Sequence, residues 1–319
     1  MPKACDIEEK YISGILVDKE NDECFFNDKE HAYYNKQTLD RYISVTTMIH
    51  AYTQPFDPVF WSTYKALESL LDEDTFYQIK GTLLNKKKIN YDWLFSQINI
   101  DKNLLEEKAQ EIRDGYEKTR DESCEVGSAI HLKKELSFYN RTNFNFSKYG
   151  FDEVCGNFQC KQNYYQLDLD RGVYPEFMIS CNVNGLLIAG QIDLLIKDGN
   201  NICIVDWKSN KEIKKTSYYD KFKKKHQMMK FPLSNLMDTN YWHYAMQLST
   251  YMYLLQVIKP DLKCKGLMII HIDKETGKET KYPVEYLKSD VERMLKHFKK
   301  QQKIKSELDK IKPIELCSI

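Results

Sequence analysis

The sequence predicts an α/β or α+β fold in which a mixed central sheet is flanked by helices. Three apolar segments, residues 173–181, 185–196 and 202–207, have the length and composition of successive strands. Two long segments have a helical pattern: Leu104 to Arg120, which is rich in Glu and Lys and lacks proline, and "NYWHYAMQLSTYMYLLQVI". Antiparallel hairpin strands combined with such helices define this class.

The region before these strands is predicted to be a hairpin followed by helices. The stretch "CFFNDKEHAYYNKQTLDRYISVTTMI" has aromatic, alternating strands around polar turns, as expected for a hairpin. Ser44 has the position of an N-cap for a following helix. A helix is expected from Phe56 to about Leu71, and we interpret the charged residues 72–101 as a helical insertion.

The remaining elements follow in chain order. Residues 128–139 and 155–167 are predicted to be helices that precede the three strands. After the strands, a basic connection over residues 209–238 leads into the long helix quoted above. The segments "KGLMIIHID" and "TKYPVEY" then have strand character, and the chain ends in a lysine-rich helix.

The composition is that of a globular protein in water. Hydrophobic residues make up 42% and charged residues 29% of the 319 residues, which suffice for one large domain or two ordinary ones. We divide the chain into an N-terminal region, residues 1–120, and a core, residues 121–319. Basic and acidic residues number 47 each, so any affinity for a polyanion must come from local clustering of charge.

The sequence contains no targeting or cofactor motif that we identify. Residues 1–10 lack the apolar region of a secretory signal, and no apolar run approaches the roughly 18 residues of a membrane span. We therefore expect a location in the cytoplasm of a bacterial or phage-infected cell. The nine cysteines are scattered, and the close pair Cys155 and Cys160 has no second pair to complete a metal set, which favours reduced thiols. No G-x-x-x-x-G-K-[ST] loop occurs, so no nucleotide cofactor is expected.

Two aspartates occupy matching positions in the predicted hairpin "LLIAGQIDLLIKDGNNICIVDWKSN". A tight turn centred on Gly199 and Asn200 pairs residues whose numbers sum to 399, which places Asp193 directly opposite Asp206. Opposed strand residues have Cβ atoms roughly 4.5–5.5 Å apart, so two carboxylates there repel each other unless a positive charge lies between them. Strand alternation brings Lys208 to the same face as Asp206.

Two interpretations of this hairpin are open. Hard carboxylate oxygens suit Mg²⁺ or Mn²⁺, so the two acids predict a divalent cation site. Alternatively, one aspartate ends a strand, and Lys208 is a solvated lysine that neutralises it. Both acids lie in strands of core composition, which supports the cation site, but the hairpin alone leaves the two interpretations equally open.

Further polar side chains lie at positions where a binding role and a structural role compete. Gly127 and His131 share one helix face, where His131 either reaches a cation or phosphate or is a half-buried core histidine. Gln247 and Tyr251 share a face of an otherwise apolar helix, either as phosphate ligands or as a polar helix rim. Glu176, in "YPEFMIS", adds a third acid on the strand before the hairpin.

Together, "GSAIH", "PE", "GQID", "VDWK" and "QLSTY", in this order, resemble the RecB-like branch of the PD-(D/E)XK nuclease superfamily, which includes phage-type exonucleases. The similar region covers about residues 120–260. The resemblance implies a restriction-endonuclease-like nuclease core, here with a largely helical N-terminal elaboration that contributes to DNA binding. It implies Mg²⁺ or Mn²⁺ as the cofactor. One subgroup carries a C-terminal cysteine group for an iron–sulfur cluster; this chain departs from that pattern, so no cluster is expected.

The resemblance also implies roles for the residues named above. The implied metal ligands are His131, Asp193, Asp206 and the backbone carbonyl of Trp207. The implied catalytic residues are Asp193, Asp206 and the motif lysine Lys208, to which we add Glu176. The implied substrate-binding residues are Gly127, before the family histidine, and the Q-x-x-x-Y pair Gln247 and Tyr251.

A basic segment, residues 208–230, contains nine lysines and two acids, a net charge of +7 in a neutral protein. Tyrosine and phenylalanine residues are interleaved with the lysines, and such a mixture can follow a phosphate backbone while it stacks on bases. The alternative is a solvated loop. The lysines that we assign to substrate binding are Lys211, Lys214, Lys215, Lys223, Lys224 and Lys225.

These observations predict a metal-dependent deoxyribonuclease, specifically an exonuclease that acts on single- or double-stranded DNA with a free end in recombination, replication or repair. Three alternatives are open: a structure-specific endonuclease with the same site, a non-catalytic DNA-binding or scaffolding protein, and a nuclease that acts on RNA. The residues identify no protein partner.

Overall fold

The computed structural model describes residues 23–27, 29–139, 143–151, 156–157, 169–221 and 224–311. The helices in this part of the chain are α1 (Val45–His50), α2 (Pro58–Leu70), α3 (Glu73–Lys86), α4 (Tyr91–Gln97), α5 (Lys102–Tyr139), α6 (Asn240–Ile258) and α7 (Lys288–Ile311). The strands are β1 (Cys24–Asn27), β2 (Ala32–Asn35), β3 (Ile43–Ser44), β4 (Asn143–Phe144), β5 (Gly156–Asn157), β6 (Gly172–Val183), β7 (Leu186–Asp198), β8 (Asn201–Lys208), β9 (Tyr219–Asp220), β10 (Lys225–His226), β11 (Lys263–Ile272) and β12 (Glu279–Val284).

Six strands form one mixed sheet with the order β12–β11–β8–β7–β3, and β6 is added along β7. The neighbours β6, β7 and β8 are antiparallel, as two successive hairpins require. By contrast, β11 runs parallel to β8, and β3 runs parallel to β7. The connection from β8 to β11 contains α6, since parallel neighbours need a crossover that a tight turn cannot provide.

Local signals explain where the first helices begin. The side chain of Ser44 accepts a hydrogen bond from the backbone N–H of Thr47 at the start of α1. Asp57 accepts one from Phe60 at the start of α2, next to a proline in the first turn. These side chains satisfy N–H groups that have no partner within the helix. The predicted N-cap at Ser44 is confirmed.

The sheet separates two apolar layers. Residues of α1, α6 and α7 pack on one face, over Ile204 and Leu195. The opposite face carries Val205 and Trp207, which pack with Phe138 of α5. Successive residues of β8 thus point to opposite layers, as the two-residue period of a strand requires.

This alternation breaks in β6 and β7. In β7, Ile192 and Leu195 both belong to the layer under α6, although they are three residues apart. In β6, Tyr174 and Phe177 belong to that same layer. A regular strand places residues three apart on opposite faces. Each strand therefore contains one irregular position, and the two irregular positions lie at the same level of the sheet.

The described residues form two compact units. The first unit holds the central sheet with α1, α6 and α7, and it comprises the residues before Gln54, Gly127–Tyr219 and those from His226 onward. The second unit comprises Gln54–Val126 and Asp220–Lys225, and residues of α2 to α5 form its core. The division of the chain near residue 120 stays a prediction.

The predicted mixed sheet flanked by helices is confirmed. The two helices expected at 104–120 and 128–139 form the single helix α5, because the intervening Gly127 weakens a helix by only about 1 kcal/mol and no proline interrupts it. Residues 72–101 contain two helices, α3 and α4.

One predicted helix is placed only in small part. Of residues 155–167, the structure describes 156–157 alone, and these pair with β4 as strand β5. Glycine and asparagine are both poor helix formers, which explains the strand at this position. Among the helices that the structure describes, none has the length and apolar character needed to cross a membrane.

Candidate metal centre and active site

Strand β7 has two different neighbours along one of its edges. On this edge Ile188 and Ala189 pair with β3, whereas Leu194–Asp198 pair with β8. The other edge of β7 is paired with β6 along nearly its full length. Residues 190–193 therefore lie at a fork between β3 and β8, where the described chain supplies no strand partner on that edge.

Tyr251 of α6 lies against Gly190 in this fork. A Cβ atom placed on Gly190 would be 2.6 Å from Cε1 and 2.9 Å from the hydroxyl oxygen of Tyr251. Both distances are too short for a van der Waals contact, so only glycine fits against the ring. In the sequence, the glycine of "GQID" was a possible sign of a close contact. The sequence did not show that Tyr251 of α6 is the residue in contact with it.

Asp193 and Asp206 occupy the opposed position that the hairpin predicts. The β7–β8 register is the predicted one, and its last backbone-paired position is Leu194 with Val205, so the two acids come next. There, Oδ2 of Asp193 accepts a hydrogen bond of 2.6 Å from the backbone N–H of Trp207. The carboxylate thus holds β8 at the point where backbone pairing between the strands ends.

His131 of α5 contributes its ring to the same position. Its Nε2 lies 2.9 Å from the carbonyl oxygen of Trp207, and a carbonyl only accepts, so Nε2 carries the hydrogen. In the neutral ring Nδ1 then has a lone pair. This Nδ1 lies 3.6 Å from Oδ1 of Asp193 and 3.9 Å from Oε1 of Glu176. Three electron-rich atoms converge, an arrangement that a cation would stabilise.

The donor set of this cluster fits a divalent cation. His131, Glu176 and Asp193 each offer one ligand atom, and these atoms all lie within 4.8 Å of one another. One imidazole nitrogen and two carboxylate oxygens suit Mn²⁺ or Mg²⁺. The sequence predicted His131 and Asp193 as ligands. In the structure, Glu176 joins these two residues in the cluster. Asp206 is not one of the three residues of this cluster.

Glu176 has an unusual backbone conformation. Its φ angle is 49°, in the left-handed region that residues with a side chain rarely adopt. Pro175 pairs with Leu194 and Phe177 with Ile192, so Glu176 is the residue of β6 that lies opposite Asp193. Such a conformation destabilises the chain by about 1–3 kcal/mol and is concentrated at functional sites. The broken alternation of β6 therefore coincides with the acid cluster.

Asp206 is held by a second set of contacts. It is 2% exposed, and its Oδ2 lies 2.7 Å from Nζ of Lys208. Nε2 of Gln247 donates to Oδ1 of Asp206 at 3.2 Å and also lies 3.5 Å from the hydroxyl oxygen of Tyr251. The Q-x-x-x-Y pair thus contacts the acid, while its role toward substrate stays a prediction.

Burial has the largest effect on the pKa values of Asp206 and Lys208. Loss of solvation raises the pKa of Asp206 to about 6; the attraction of Lys208 opposes this shift, and the repulsion of Asp193 adds to it. Burial also disfavours the charged form of Lys208, but Asp206 and Asp193 outweigh this effect and raise its pKa. The lysine therefore remains protonated near neutral pH.

The raised pKa of Asp206 makes the stability of the metal-free protein depend on pH. Because the folded state retains this proton to a higher pH than the unfolded state does, ionising Asp206 removes stability as the pH rises from about 4 through about 6. Asp206→Asn cannot ionise. We expect its melting temperature, relative to the wild type in chelator, to increase between pH 4.5 and pH 7.5. A constant difference in melting temperature between the variant and the wild type across this pH range would contradict the raised pKa of Asp206.

Tyr244 is a site residue that the sequence analysis missed. Nζ of Lys208 lies 4.9 Å from the centroid of the Tyr244 ring, which is within the range of a cation–π contact. Tyr244 precedes Gln247 by three residues on α6, so both face β8. In the sequence, the position of Tyr244 three residues before the glutamine of "QLSTY" was a signal that it faces the site. This signal was weak, because the helix contains several other tyrosines.

We expect Tyr244→Leu to lower any cleavage activity about tenfold, because a desolvated cation–π contact contributes roughly 1–2 kcal/mol to the placement of Lys208. Tyr244→Phe retains the ring and should stay close to the wild type. Tyr253→Leu, on the same helix, serves as the matched control. The measurement is the initial rate on labelled DNA with Mg²⁺, and equal rates for the Leu and Phe variants would count against this contact.

The six lysines of the basic segment that we assign to substrate binding differ in their surroundings. Lys214 forms an ion pair of 2.9 Å with Glu212, and Nζ of Lys215 lies 4.7 Å from the ring centroid of Tyr241. Lys211 is exposed. Lys224 and Lys225 belong to the second unit, and the predicted site residue Lys223 lies outside the described residues.

Gly127 does not have the close backbone contact that its position in a helix suggested. A Cβ atom there would lie 3.8 Å from Oγ of Ser209, which is an ordinary contact. The helix also does not start at this residue, because α5 is continuous through it. A role for Gly127 in substrate binding stays a prediction.

Comparison with known families gives one match that covers most of the chain. The family model of the PD-(D/E)XK nuclease superfamily matches residues 102–319. This range contains each residue of the cluster described above. Among curated protein sequences, none matches this chain.

Two solved structures are similar at low identity. One is described as SSO0001, at 17% identity and a TM-score of 0.28, with 55% of this chain and 58% of that chain covered. This chain thus spans less than two thirds of that protein. The other is described as "Putative exonuclease" from Eubacterium rectale, at 12% identity and a TM-score of 0.33, with 87% of this chain and 90% of that chain covered. Similarities of this strength say nothing about activity.

Proposed function

Because the chain belongs to the PD-(D/E)XK nuclease superfamily, we propose that it is a Mg²⁺- or Mn²⁺-dependent deoxyribonuclease, specifically an exonuclease. One observation carries the proposal: the ligand atoms of His131, Glu176 and Asp193 converge within 4.8 Å, beside the ion pair of the buried Asp206 with the half-buried Lys208. A cluster of this kind, with a perturbed acid and a charged lysine, is suited to hydrolysis of a phosphodiester.

The residues of the site have different proposed roles. His131, Glu176 and Asp193 would hold a divalent cation, with Asp206 and the carbonyl oxygen of Trp207 as further oxygen ligands. Polarisation of a phosphoryl oxygen, and a lowered pKa for an attacking water, are the chemistry that such a cation supplies when bound.

Lys208 stabilises negative charge on the scissile phosphate. Its ammonium group is held by Asp206 and by the ring of Tyr244, so it is positioned before the substrate arrives. A preorganised positive charge in a site of low polarity favours the transition state, in which charge on the phosphate is redistributed. Gln247 keeps Asp206 in place through its amide.

DNA is the proposed substrate, and a free end is the proposed starting point. An endonuclease would use the same residues, and no described contact distinguishes a 2′-hydroxyl, so RNA is a separate candidate. A non-catalytic DNA-binding protein is disfavoured, because the acids, the lysine and the histidine all lie together.

One assay distinguishes these functions. End-labelled linear single- and double-stranded DNA, a closed circle and a labelled RNA are incubated with Mg²⁺, Mn²⁺ or chelator. We expect digestion of linear DNA in both metals, none of the circle, and none in chelator. A nicked circle would identify an endonuclease, and metal-dependent loss of the RNA alone would identify a ribonuclease. Binding without cleavage of any substrate would overturn the proposed activity.

The basic segment is proposed to bind the phosphate backbone. Replacing Lys223, Lys224 and Lys225 with alanine should reduce the slope of log affinity against log salt by about two to three, since each lost phosphate contact lowers it by about one. The matched control replaces Lys300, Lys303 and Lys305, three exposed lysines of α7. Fluorescence anisotropy in chelator measures the DNA affinity of both triple variants at several salt concentrations. Equal slopes for the two variants would show that the basic segment does not contact the DNA backbone specifically.

A further inference from the structure

Gln191 lies within "GQID", between Gly190, which contacts Tyr251, and the cluster residue Asp193. It is half-buried, and it is not one of the three residues of the cluster. Its amide nitrogen Nε2 donates a hydrogen bond of 3.3 Å to the backbone carbonyl oxygen of Glu176. Since a carbonyl oxygen only accepts, the amide must present its nitrogen to this group. A side chain of β7 therefore holds the backbone of β6 at one of the proposed cation ligands.

The backbone of β6 departs from regular strand geometry at Glu176. The β6–β7 register has a pair on each side of this level but none between Glu176 and Asp193. The φ angle of Glu176 is 49°, and a rotation about the N–Cα bond moves the carbonyl carbon and Cβ together. A hydrogen bond that fixes the carbonyl group therefore also fixes the point from which the side chain starts. Gln191 provides this bond from the strand that carries Asp193.

We propose that Gln191 is a positioning residue, which holds Glu176 in the left-handed conformation from which its carboxylate reaches the divalent cation. The Glu176 carboxylate offers an oxygen within 4.8 Å of the ligand atoms of His131 and Asp193. Groups that hold metal ligands in place typically account for roughly 10- to 100-fold in metal affinity. The inference rests on the proposed function, because it requires that the cluster binds a cation. Gln191 acts through Glu176 and is not itself a ligand.

The test is Mn²⁺ binding to the full chain without DNA, measured from the electron paramagnetic resonance signal of free Mn²⁺. Gln191→Met keeps a side chain of similar length but has no N–H donor. We expect its dissociation constant for Mn²⁺ to be about tenfold higher than that of the wild type, because the carboxylate of Glu176 is no longer held in place. At saturating Mn²⁺ its rate of DNA cleavage should lie within about twofold of the wild type, since every ligand is still present.

The matched control is Gln256→Met on α6. Nε2 of Gln256 also donates to a backbone carbonyl, that of Leu262 at 2.9 Å, and Gln256 is half-buried as Gln191 is. It lies about 13 Å beyond Gln247 along the helix axis. Loss of either amide should lower the melting temperature, because each removes a hydrogen bond to a carbonyl group. Only Gln191→Met should weaken Mn²⁺ binding, whereas a purely structural role of Gln191 would leave the Mn²⁺ affinity of both variants unchanged.

A double-mutant cycle shows whether Gln191 acts through Glu176. Glu176→Gln removes the charge of the ligand and should itself weaken Mn²⁺ binding. In this background Gln191→Met should change the Mn²⁺ affinity by less than about twofold, because no carboxylate is left to position.

Two results would overturn the inference while the wild type binds Mn²⁺. One is a Mn²⁺ affinity of Gln191→Met equal to that of the wild type. The other is a loss of about tenfold that persists in the Glu176→Gln background, which would show that Gln191 acts independently of Glu176. If the wild type does not bind Mn²⁺, the cation site of the proposed function fails and the role of Gln191 fails with it. Mn²⁺ binding without cleavage of any nucleic acid would overturn the nuclease activity alone.

Discussion

Asp206→Asn is expected to lower the rate of DNA cleavage by about a thousandfold, the upper range for loss of one preorganised electrostatic contact. The variant retains the shape of the side chain but removes its charge, both from the cation site and from Lys208. Because burial disfavours the charged form of Asp206, the neutral amide should not unfold the protein. DNA binding, measured by anisotropy in chelator, should remain close to the wild type.

The matched control for this variant is Asp198→Asn, on the neighbouring strand β7 of the same hairpin. Asp198 pairs with Arg171 at 2.9 Å near the hairpin turn, away from the acid cluster. Its loss should leave cleavage within about twofold, as expected for a partly exposed ion pair. Turnover of Asp206→Asn at the level of this control would refute the assignment of Asp206.

Lys208→Met is the second change with a large expected effect. It keeps the apolar stem but removes the charge that lies 2.7 Å from Asp206, so we expect a loss of about a hundredfold in cleavage rate. The loss should be larger at low pH, because without Lys208 the pKa of Asp206 rises further and the carboxylate ionises only at higher pH. A rate profile from pH 5.5 to pH 9 measures both effects.

Lys265→Met, an exposed lysine of β11, is the control for the loss of one positive charge. It should follow the wild-type profile throughout. If Lys208→Met shifted neither the rate nor the pH at which the rate is half-maximal, then Lys208 would be a structural partner of Asp206 and not part of the chemistry.

The hairpin register was predictable because two tight constraints agree. Gly199 supplies the positive φ that the turn needs, and the apolar runs on both sides fix which residues are opposed. From these alone, Asp193 and Asp206 could be placed opposite each other. The same patterns also located α6 and its Q-x-x-x-Y pair, since a long apolar helix between two strands has few other interpretations.

Other features of the site could not be read from local patterns. The sequence gives no indication that Glu176 has a left-handed backbone, because this conformation depends on the strands around it. The fork between β3 and β8, the contact of Gly190 with Tyr251, and the cation–π contact of Tyr244 all join segments that are distant in sequence. Such contacts follow from tertiary packing, which periodicity does not encode.

The central claim is that Asp193 and Asp206 bind a divalent cation together, and anomalous diffraction from crystals soaked in Mn²⁺ tests it most directly. The account predicts one anomalous peak about 2.1 Å from a carboxylate oxygen of each aspartate, with His131 or Glu176 as a further ligand. The soak should leave Lys208 beside Asp206. A peak bound only by His131, Glu176 and Asp193, with Asp206 still engaged solely by Lys208 and Gln247, would contradict it.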